Sequence, residues 1–442
     1  MSHLIVVTEA TLRRLERNWP PEELARRVEA HFPTARGLDA KAIGKWERRF
    51  QTPRHDYAQA LCHELDAPAL DLLGIGRSLA AQAYWRLATP DERDTAVRRR
   101  KLLEDSLALA GGVVLLPVDR LAKWANWYGQ ARRVDPALPG ELEALSTQIA
   151  RAYTAGQTAS ALPAARAQAH SVTRLLDRAV MTSAQRNRLR SIGADAAAMQ
   201  GVLELNIGNP GEARDAFDLA LDLARDARDA RLEALVTAAE TWLWSPAQLG
   251  ARATKSPQQA VDALEHACVL GRHAPAPAQA WLHAYHAWHL AAAGDAGQWA
   301  RALASVQDTV GGIHPDEHGW GFFSTHGELA GLNSGRILGF EGDTRLLLGQ
   351  HADAINPLQQ ALGTAYMSMK EPILRRSLMA AWTGADEPEP ACAAGIACLG
   401  QADAASLTLN VELVRDIRAT FPGSWADLDC VHQLDDRLRA HA

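Results

Sequence analysis

The chain has 442 residues, of which 47% are hydrophobic and 22% charged, and its formal net charge at pH 7 is −6. This composition is typical of a soluble globular protein, and the acidic total excludes a protein that coats nucleic acid over its whole surface, so any contact with DNA is expected to be local. Five scattered cysteines exclude a disulfide scaffold, and an N-terminus without signal-peptide features completes the prediction of a cytoplasmic protein with no membrane segment.

Helix-forming residues dominate the whole chain, and apolar residues recur at steps of three and four. No alternation of apolar and polar residues is long enough to build a sheet. The sequence therefore predicts an all-α protein. We expect an N-terminal domain over residues 1–76, a helical linker over 77–118 that carries the basic cluster Arg98-Arg99-Arg100-Lys101, and a helical repeat domain over 119–442.

The N-terminal domain contains five short segments with helical periodicity. Pro20-Pro21 precedes the second segment, where proline is tolerated because first-turn N–H groups have no helical partner. The five predicted helices are Thr11–Trp19, Glu22–Phe32, Asp39–Arg49, Asp56–Leu65 and Ala69–Leu73.

The third predicted helix concentrates positive charge on one face. Its basic residues Lys41, Lys45, Arg48 and Arg49 follow the spacing i, i+4, i+7 and i+8. Residues 36–54 hold six basic and two acidic side chains, whereas the rest of residues 1–76 hold five basic and nine acidic ones. A helix of this kind suits the major groove of DNA, because cations contact phosphates and reach guanine edges.

The repeat domain shows a recurring pattern in which two helices are joined by a short turn. Its clearest copy has an apolar helix end, a turn with Gly208, and a second helix with Ala213, Ala216 and Phe217 on one face. Small residues at such positions let helices approach closely, as in tetratricopeptide-like units. If Ala213, Ala260, Trp299, Ala354 and Ala391 are equivalent, the intervals are 47, 39, 55 and 37 residues rather than 34, which predicts a degenerate α-solenoid.

Tryptophan is unusually frequent, since the chain has 13 tryptophans beside 7 phenylalanines, and most of the tryptophans lie in the repeat domain. Most of them are expected to pack between repeats. A solenoid also has an inner surface made of first helices, and aromatic side chains there bind peptides or apolar small molecules. The candidate ligand-groove residues are Trp242, Trp281, Tyr285, Trp288, Trp320, Phe322 and Phe323.

No motif indicates catalysis, a cofactor or a metal. His286 and His289 are three residues apart on a helix, but no Asp, Glu or Cys nearby completes a ligand set. His314 and His318 flank Pro-Asp-Glu without forming H-E-x-x-H, and no phosphate-binding or nucleophile-elbow motif is present. We therefore expect a protein that is not an enzyme and that binds no cofactor.

Residues 11–73 resemble the helix-turn-helix domain of the xenobiotic-response-element (phage-repressor-like) regulators. The resemblance rests on Glu22-Glu23-Leu24-Ala25, on Ile43-Gly44-Lys45-Trp46-Glu47-Arg48 and on the proline at Pro53 that precedes a helix. With its repeats, the chain is similar to actinobacterial regulators that join this domain to a tetratricopeptide-like one. The resemblance implies a homodimeric transcriptional regulator that binds double-stranded DNA, with residues 39–49 as the recognition helix and a solenoid that senses a peptide or small molecule.

The resemblance also implies which side chains contact DNA. They are the basic and small residues of the recognition helix and its flanks: Arg36, Ala40, Lys41, Gly44, Lys45, Arg48, Arg49 and Arg54. The sequence departs from the family pattern in two places. Pro20-Pro21 stand where the family has a Gln that contacts phosphate, and Arg49 stands where the family has a glycine. The first departure and the near-neutral domain favour an alternative, a protein-interaction adaptor with a vestigial helix-turn-helix domain.

Overall fold

The structure is a computed structural model that is all-α in the part of the chain it describes. In that part, fifteen α-helices are present and no β-strand, and a single parallel bridge pairs Arg133 with Val180. The all-α prediction is confirmed at this level. The chain divides into two compact units, Met1–Gly112 with Asp135–Leu138, and Val113–Val134 with Pro139–Ala442. The described residues are 20–31, 131–244, 255–311, 334–363, 370–405 and 407–441.

In the first unit the structure describes helix α1, Pro21–His31, which differs by one residue at each end from the second predicted helix. The carbonyl of Pro20 accepts the N–H groups of Glu23 and Leu24 at 3.0 and 3.2 Å, so Pro20 begins the helix as its sequence predicts. Leu24 and Val28 have no exposed surface. An eleven-residue helix is marginal alone, so this burial is what stabilises it.

In its described residues, the second unit contains helices that follow one another along the chain, with three short 3₁₀ turns at Thr241–Leu243, Gly271–His273 and Gly423–Trp425. The α-helices are α2 (Leu138–Thr154), α3 (Thr158–Arg178), α4 (Ser183–Asn206), α5 (Pro210–Ala227), α6 (Ala230–Glu240), α7 (Pro257–Leu270), α8 (Ala276–Ala292), α9 (Ala296–Gly311), α10 (Ser334–Leu347), α11 (His351–Gly363), α12 (Lys370–Gly384), α13 (Pro388–Ala405), α14 (Thr408–Ala419) and α15 (Asp429–Arg439).

Within the described residues, six connections between consecutive helices are made by the same turn. Between α4 and α5, the N–H of Gly208 donates to the carbonyl of Leu205 at 3.0 Å, and the N–H of Asn209 donates to that of Glu204 at 2.9 Å. This Schellman arrangement satisfies the last carbonyls of one helix and needs a left-handed residue. One residue then separates the turn from the second helix of the pair. The left-handed residues, with φ between 57° and 86°, are Gly156, Gly208, Arg228, Gly294, Gly349 and Asp386.

The fourth residue of the second helix is buried in six pairs. The five positions that the sequence treats as equivalent all stand there, and the structure adds Ala161 in α3. Ala161 escaped the sequence comparison although its turn, Gly156-Gln157, has the same form as the others. At most 9% of the surface of any of these residues is exposed. The six residues are Ala161, Ala213, Ala260, Trp299, Ala354 and Ala391.

Small residues also set the distance between paired helices. A Cβ atom added to Gly201 on α4 would lie 2.9 Å from the ring of Phe217 on α5. At α2 and α3, the buried amide of Gln168 donates to the carbonyl of Leu142 at 2.8 Å and to Ser146 Oγ at 2.9 Å. A close approach at Gly201 therefore holds α4 and α5 together, and a buried amide holds α2 and α3 together. The first helices α8, α10, α12 and α14 lie next to one another in that order.

Candidate functional site in the repeat domain

The predicted DNA-contacting residues, 36–54, lie outside the described residues, and so does the basic cluster at 98–101. Three predicted groove residues, Trp320, Phe322 and Phe323, lie outside them as well. The described candidate site is therefore built from the remaining four aromatic residues and from the helices around them.

Those four residues lie together in one aromatic cluster: Trp242 after α6, Trp281, Tyr285 and Trp288 on α8, with Phe340 of α10 beside them. The ring centroids of Trp281 and Tyr285 are 4.4 Å apart, and those of Trp242 and Tyr285 are 5.3 Å apart. Each predicted residue keeps at most 7% of its surface exposed. The rings cover one another, so most of the cluster packs neighbouring first helices together.

A buried histidine closes the cluster on its other side. His289 on α8 has no exposed surface, and its Nε2 lies 3.0 Å from Thr241 Oγ1. Because the Thr241 hydroxyl donates to the carbonyl of Ala238 at 2.6 Å, its oxygen accepts a hydrogen bond from the N–H that the neutral His289 ring carries on Nε2. Burial, with a smaller contribution from His286, lowers the pKa of His289 to about 3. The ring is therefore neutral at physiological pH.

Trp288 also lies on the wall of a cavity of about 610 Å³ between the first helices α8, α10, α12 and α14. A volume of this size suits a small ligand or a few peptide residues. Apolar side chains such as Leu346, Ile373, Leu413 and Ile417 make up much of the wall. The polar side chains on the wall are Asp343, His351, Arg376, Ser377, Thr383, Asp416 and Thr420.

Arg376 is the buried cation of this cavity. It leaves α12 with only 7% of its surface exposed, and its Nη1 donates to Asn410 Oδ1 on α14 at 2.9 Å. Burial lowers the pKa of the Arg376 guanidinium, and the negative charge of Asp343 acts in the opposite direction. An arginine in this position stays charged because its ordinary pKa is so high.

His351 and Gly384 meet at the cavity edge. The ring of His351, at the start of α11, packs directly on the backbone of Gly384 at the end of α12, where an added Cβ would collide with it. The Nδ1 of His351 is buried and has no hydrogen-bond partner in the described part of the chain. A side chain at position 384 would therefore displace the ring from the wall.

Sequence reasoning found Trp288 but missed Arg376. Arg375 and Arg376 look alike as a basic pair, yet Arg375 pairs with Glu371 at 2.6 Å, and neither residue of this pair lines the cavity. The available signal was helical phase, because Arg376 stands three residues after Ile373 and four before Ala380, on the inner face of the helix. The sequence reasoning assumed that neighbouring charged residues face solvent, and it therefore missed the charge of Arg376 on the inner face of α12.

The described residues contain no cluster of three His, Cys, Asp or Glu side chains that could hold a metal ion. Among the helices described, none combines the length and apolar character needed to span a bilayer.

No protein-family model matches the chain, and no curated protein matches it.

Proposed function

We propose that the protein is a DNA-binding transcriptional regulator. Residues 1–76 form a helix-turn-helix domain whose recognition helix, 39–49, enters the major groove. The tetratricopeptide-like solenoid over 119–442 mediates homodimerisation and senses a peptide or small molecule. In this proposal the chain is a cytoplasmic protein that is not an enzyme.

The observation that carries the proposal is helix α1. Its bounds agree with the second helix of the resemblance to within one residue, and Leu24 and Val28 are fully buried. Arg26 and Arg27 lie on its other side, where both pair with Glu23. An amphipathic helix with a covered apolar side is what precedes a recognition helix in a helix-turn-helix domain.

The charge distribution supports the DNA side of the proposal. Residues 77–442 hold 35 basic and 41 acidic side chains, and residues 1–76 hold eleven of each. Within them, residues 36–54 hold six basic and two acidic side chains, so this segment is positively charged although the chain is acidic. An acidic body with one basic helix disfavours indiscriminate binding, because most of the surface repels phosphate. The cavity between first helices supports the sensing side, because it offers a ligand both apolar surface and charge.

An adaptor that binds a protein partner is the second candidate, and the start of α1 favours it. Its first turn holds Pro21, Glu22 and Glu23 after Pro20, and none of these side chains donates a hydrogen bond to a phosphate. The two carboxylates repel one instead. In this alternative the solenoid binds the partner and residues 1–76 no longer contact DNA.

Fluorescence anisotropy with duplex DNA from the region upstream of its own gene separates the two candidates. The variant Lys45→Ala/Arg48→Ala should bind at least about tenfold more weakly at low salt, and the slope of log affinity against log salt should fall by about two. The reason is that each lost cation no longer displaces counterions from the phosphates.

The matched control is Arg225→Ala/Arg439→Ala, which removes the same charge from the repeat domain. These arginines are 56% and 73% exposed and form surface pairs with Glu233 and Asp436, which contribute little to stability. The control should bind DNA like the wild type. Equal binding by the two double variants, or no binding by the wild type, would refute the DNA proposal, and one stoichiometric protein in a pull-down would then support the adaptor.

A further inference from the structure

The guanidinium of Arg376 has more hydrogen-bond donors than the protein satisfies. Arginine has five N–H donors in a planar fork, and here Nη1 donates to Asn410 Oδ1. In the part of the chain that the structure describes, the Arg376 side chain makes no other hydrogen bond and no ion pair within 4 Å. The remaining donors belong to a side chain that lines the cavity and is 93% buried. No nitrogen of the Arg376 side chain is both sealed from solvent and without a partner, so the donors that Asn410 does not use are accessible from the cavity, where an acceptor can reach them.

The chemistry of the missing acceptor follows from geometry. A carboxylate offers two oxygens in one plane, and it accepts two parallel N–H bonds from an arginine fork. Asp343 and Asp416 also line the cavity. Their charges repel a dianion such as a phosphate monoester more strongly than a singly charged carboxylate, so the lower charge fits better.

The other side chains of the cavity wall determine the chemical character of the remaining part of the ligand. Leu346, Ile373, Leu413 and Ile417 give it apolar walls, and Trp288 closes one side with an aromatic ring. A volume of about 610 Å³ holds an acyl chain or a few apolar residues. Burying such a chain contributes about 0.8 kcal/mol per methylene, so the apolar part supplies affinity and the charge supplies orientation.

We infer that this cavity binds a ligand with one carboxylate on an apolar body, with the carboxylate on Arg376 and the body between α8, α10, α12 and α14. The inference rests on the sensing role in the proposed function, and it names the class of effector. Two sources share this chemistry: a medium-chain fatty acid, and the free C-terminus of a short apolar peptide.

Isothermal titration calorimetry on the full chain without DNA tests the inference. The probes are octanoate against octanamide, and an N-acetylated leucine-rich peptide with a free C-terminus against the same peptide amidated. At least one carboxylate should bind, and its neutral partner should bind at least about tenfold more weakly. Binding of octanoate alone assigns the fatty-acid source, and binding of the peptide alone assigns the peptide source. Equal binding of charged and neutral partners, or no binding of either carboxylate, would overturn the inference.

A pair of neighbouring arginines supplies the control in the protein. Arg376→Gln should weaken the carboxylate ligand at least about tenfold, whereas Arg375→Gln, which removes the same charge outside the cavity, should leave its affinity unchanged. Equal affinities for the two variants would also refute the inference. If Arg376→Gln does not fold, the comparison of charged and neutral probes on the wild type still decides. Because no DNA is present, failure of DNA binding and failure of ligand binding are separate results.

Discussion

The aromatic cluster and the cavity differ in how the space between neighbouring helices is filled. Both lie between neighbouring first helices of the repeat domain. On α8 the inner positions carry Trp281, Tyr285 and Trp288, and their rings close the space to its neighbours. On α12 the wall carries Ser377, Ala380 and Gly384 at similar spacing, and the space remains open. Trp288 is shared by the two regions.

The difference shows which residues hold the two helices of a pair together and which residues decide whether the space between pairs is filled or open. The Schellman turns and the buried fourth residues are the same in pairs on both sides, for example at Gly294 with Trp299 and at Gly349 with Ala354. Helix spacing is therefore set within each pair. The inner side chains of the first helices then decide whether the space between pairs becomes core or cavity.

The largest effect is expected from emptying the closed region. Trp281 is 1% exposed and contacts both Trp242 and Tyr285, so Trp281→Ala leaves a large void in the cluster. The free energy of unfolding should fall by about 3–5 kcal/mol in urea titrations. Val269→Ala, at a position that is 58% exposed, should change it by less than about 0.5 kcal/mol. Similar losses in both variants would mean that the rings are not a packed core.

A smaller effect is expected from acid, because the closed region also buries His289. Its folded-state pKa of about 3 lies below the ordinary 6.5, so the unfolded chain binds the proton first. The stability contributed by the neutral ring is complete above pH 6.5 and is lost as the pH falls toward 3. At pH 5.5 the loss from this residue should be about 1.4 kcal/mol relative to pH 7.5.

Urea unfolding at the two pH values measures this loss. His289→Gln should remove about that increment from the pH dependence, whereas His432→Gln, at an exposed position on α15, should keep it. Some dependence should persist in His289→Gln, because burial also lowers the pKa of His283 and His286. If the pH dependence of His289→Gln equals that of the wild type, His289 does not titrate as its burial predicts.

The sequence predicted the framework better than the cavity, and the reason is physical. Helical periodicity, the turn glycines and the small residues at Ala213 or Ala354 are local features, so they are visible in the chain itself. The cavity depends on which inner faces meet across α8, α10, α12 and α14, and that is a tertiary property. The groove was predicted from large aromatic residues, but apart from Trp288 the cavity wall consists of aliphatic side chains, small residues and polar groups that include Arg376.

The smallest effect on stability, and the most direct comparison of the two regions, is expected from adding the same volume to each. Ala380 faces the cavity, so Ala380→Leu should leave the free energy of unfolding unchanged or raise it by at most about 1 kcal/mol. Ala284, fully buried on α8 beside the rings, has no such space, and Ala284→Leu should lower it by about 1–3 kcal/mol. Because the new side chain at 380 occupies ligand volume, Ala380→Leu should also weaken the carboxylate ligand while keeping the fold. An equal loss of stability in the two leucine variants would show that the space beside Ala380 is already filled, and that the two regions do not differ as described.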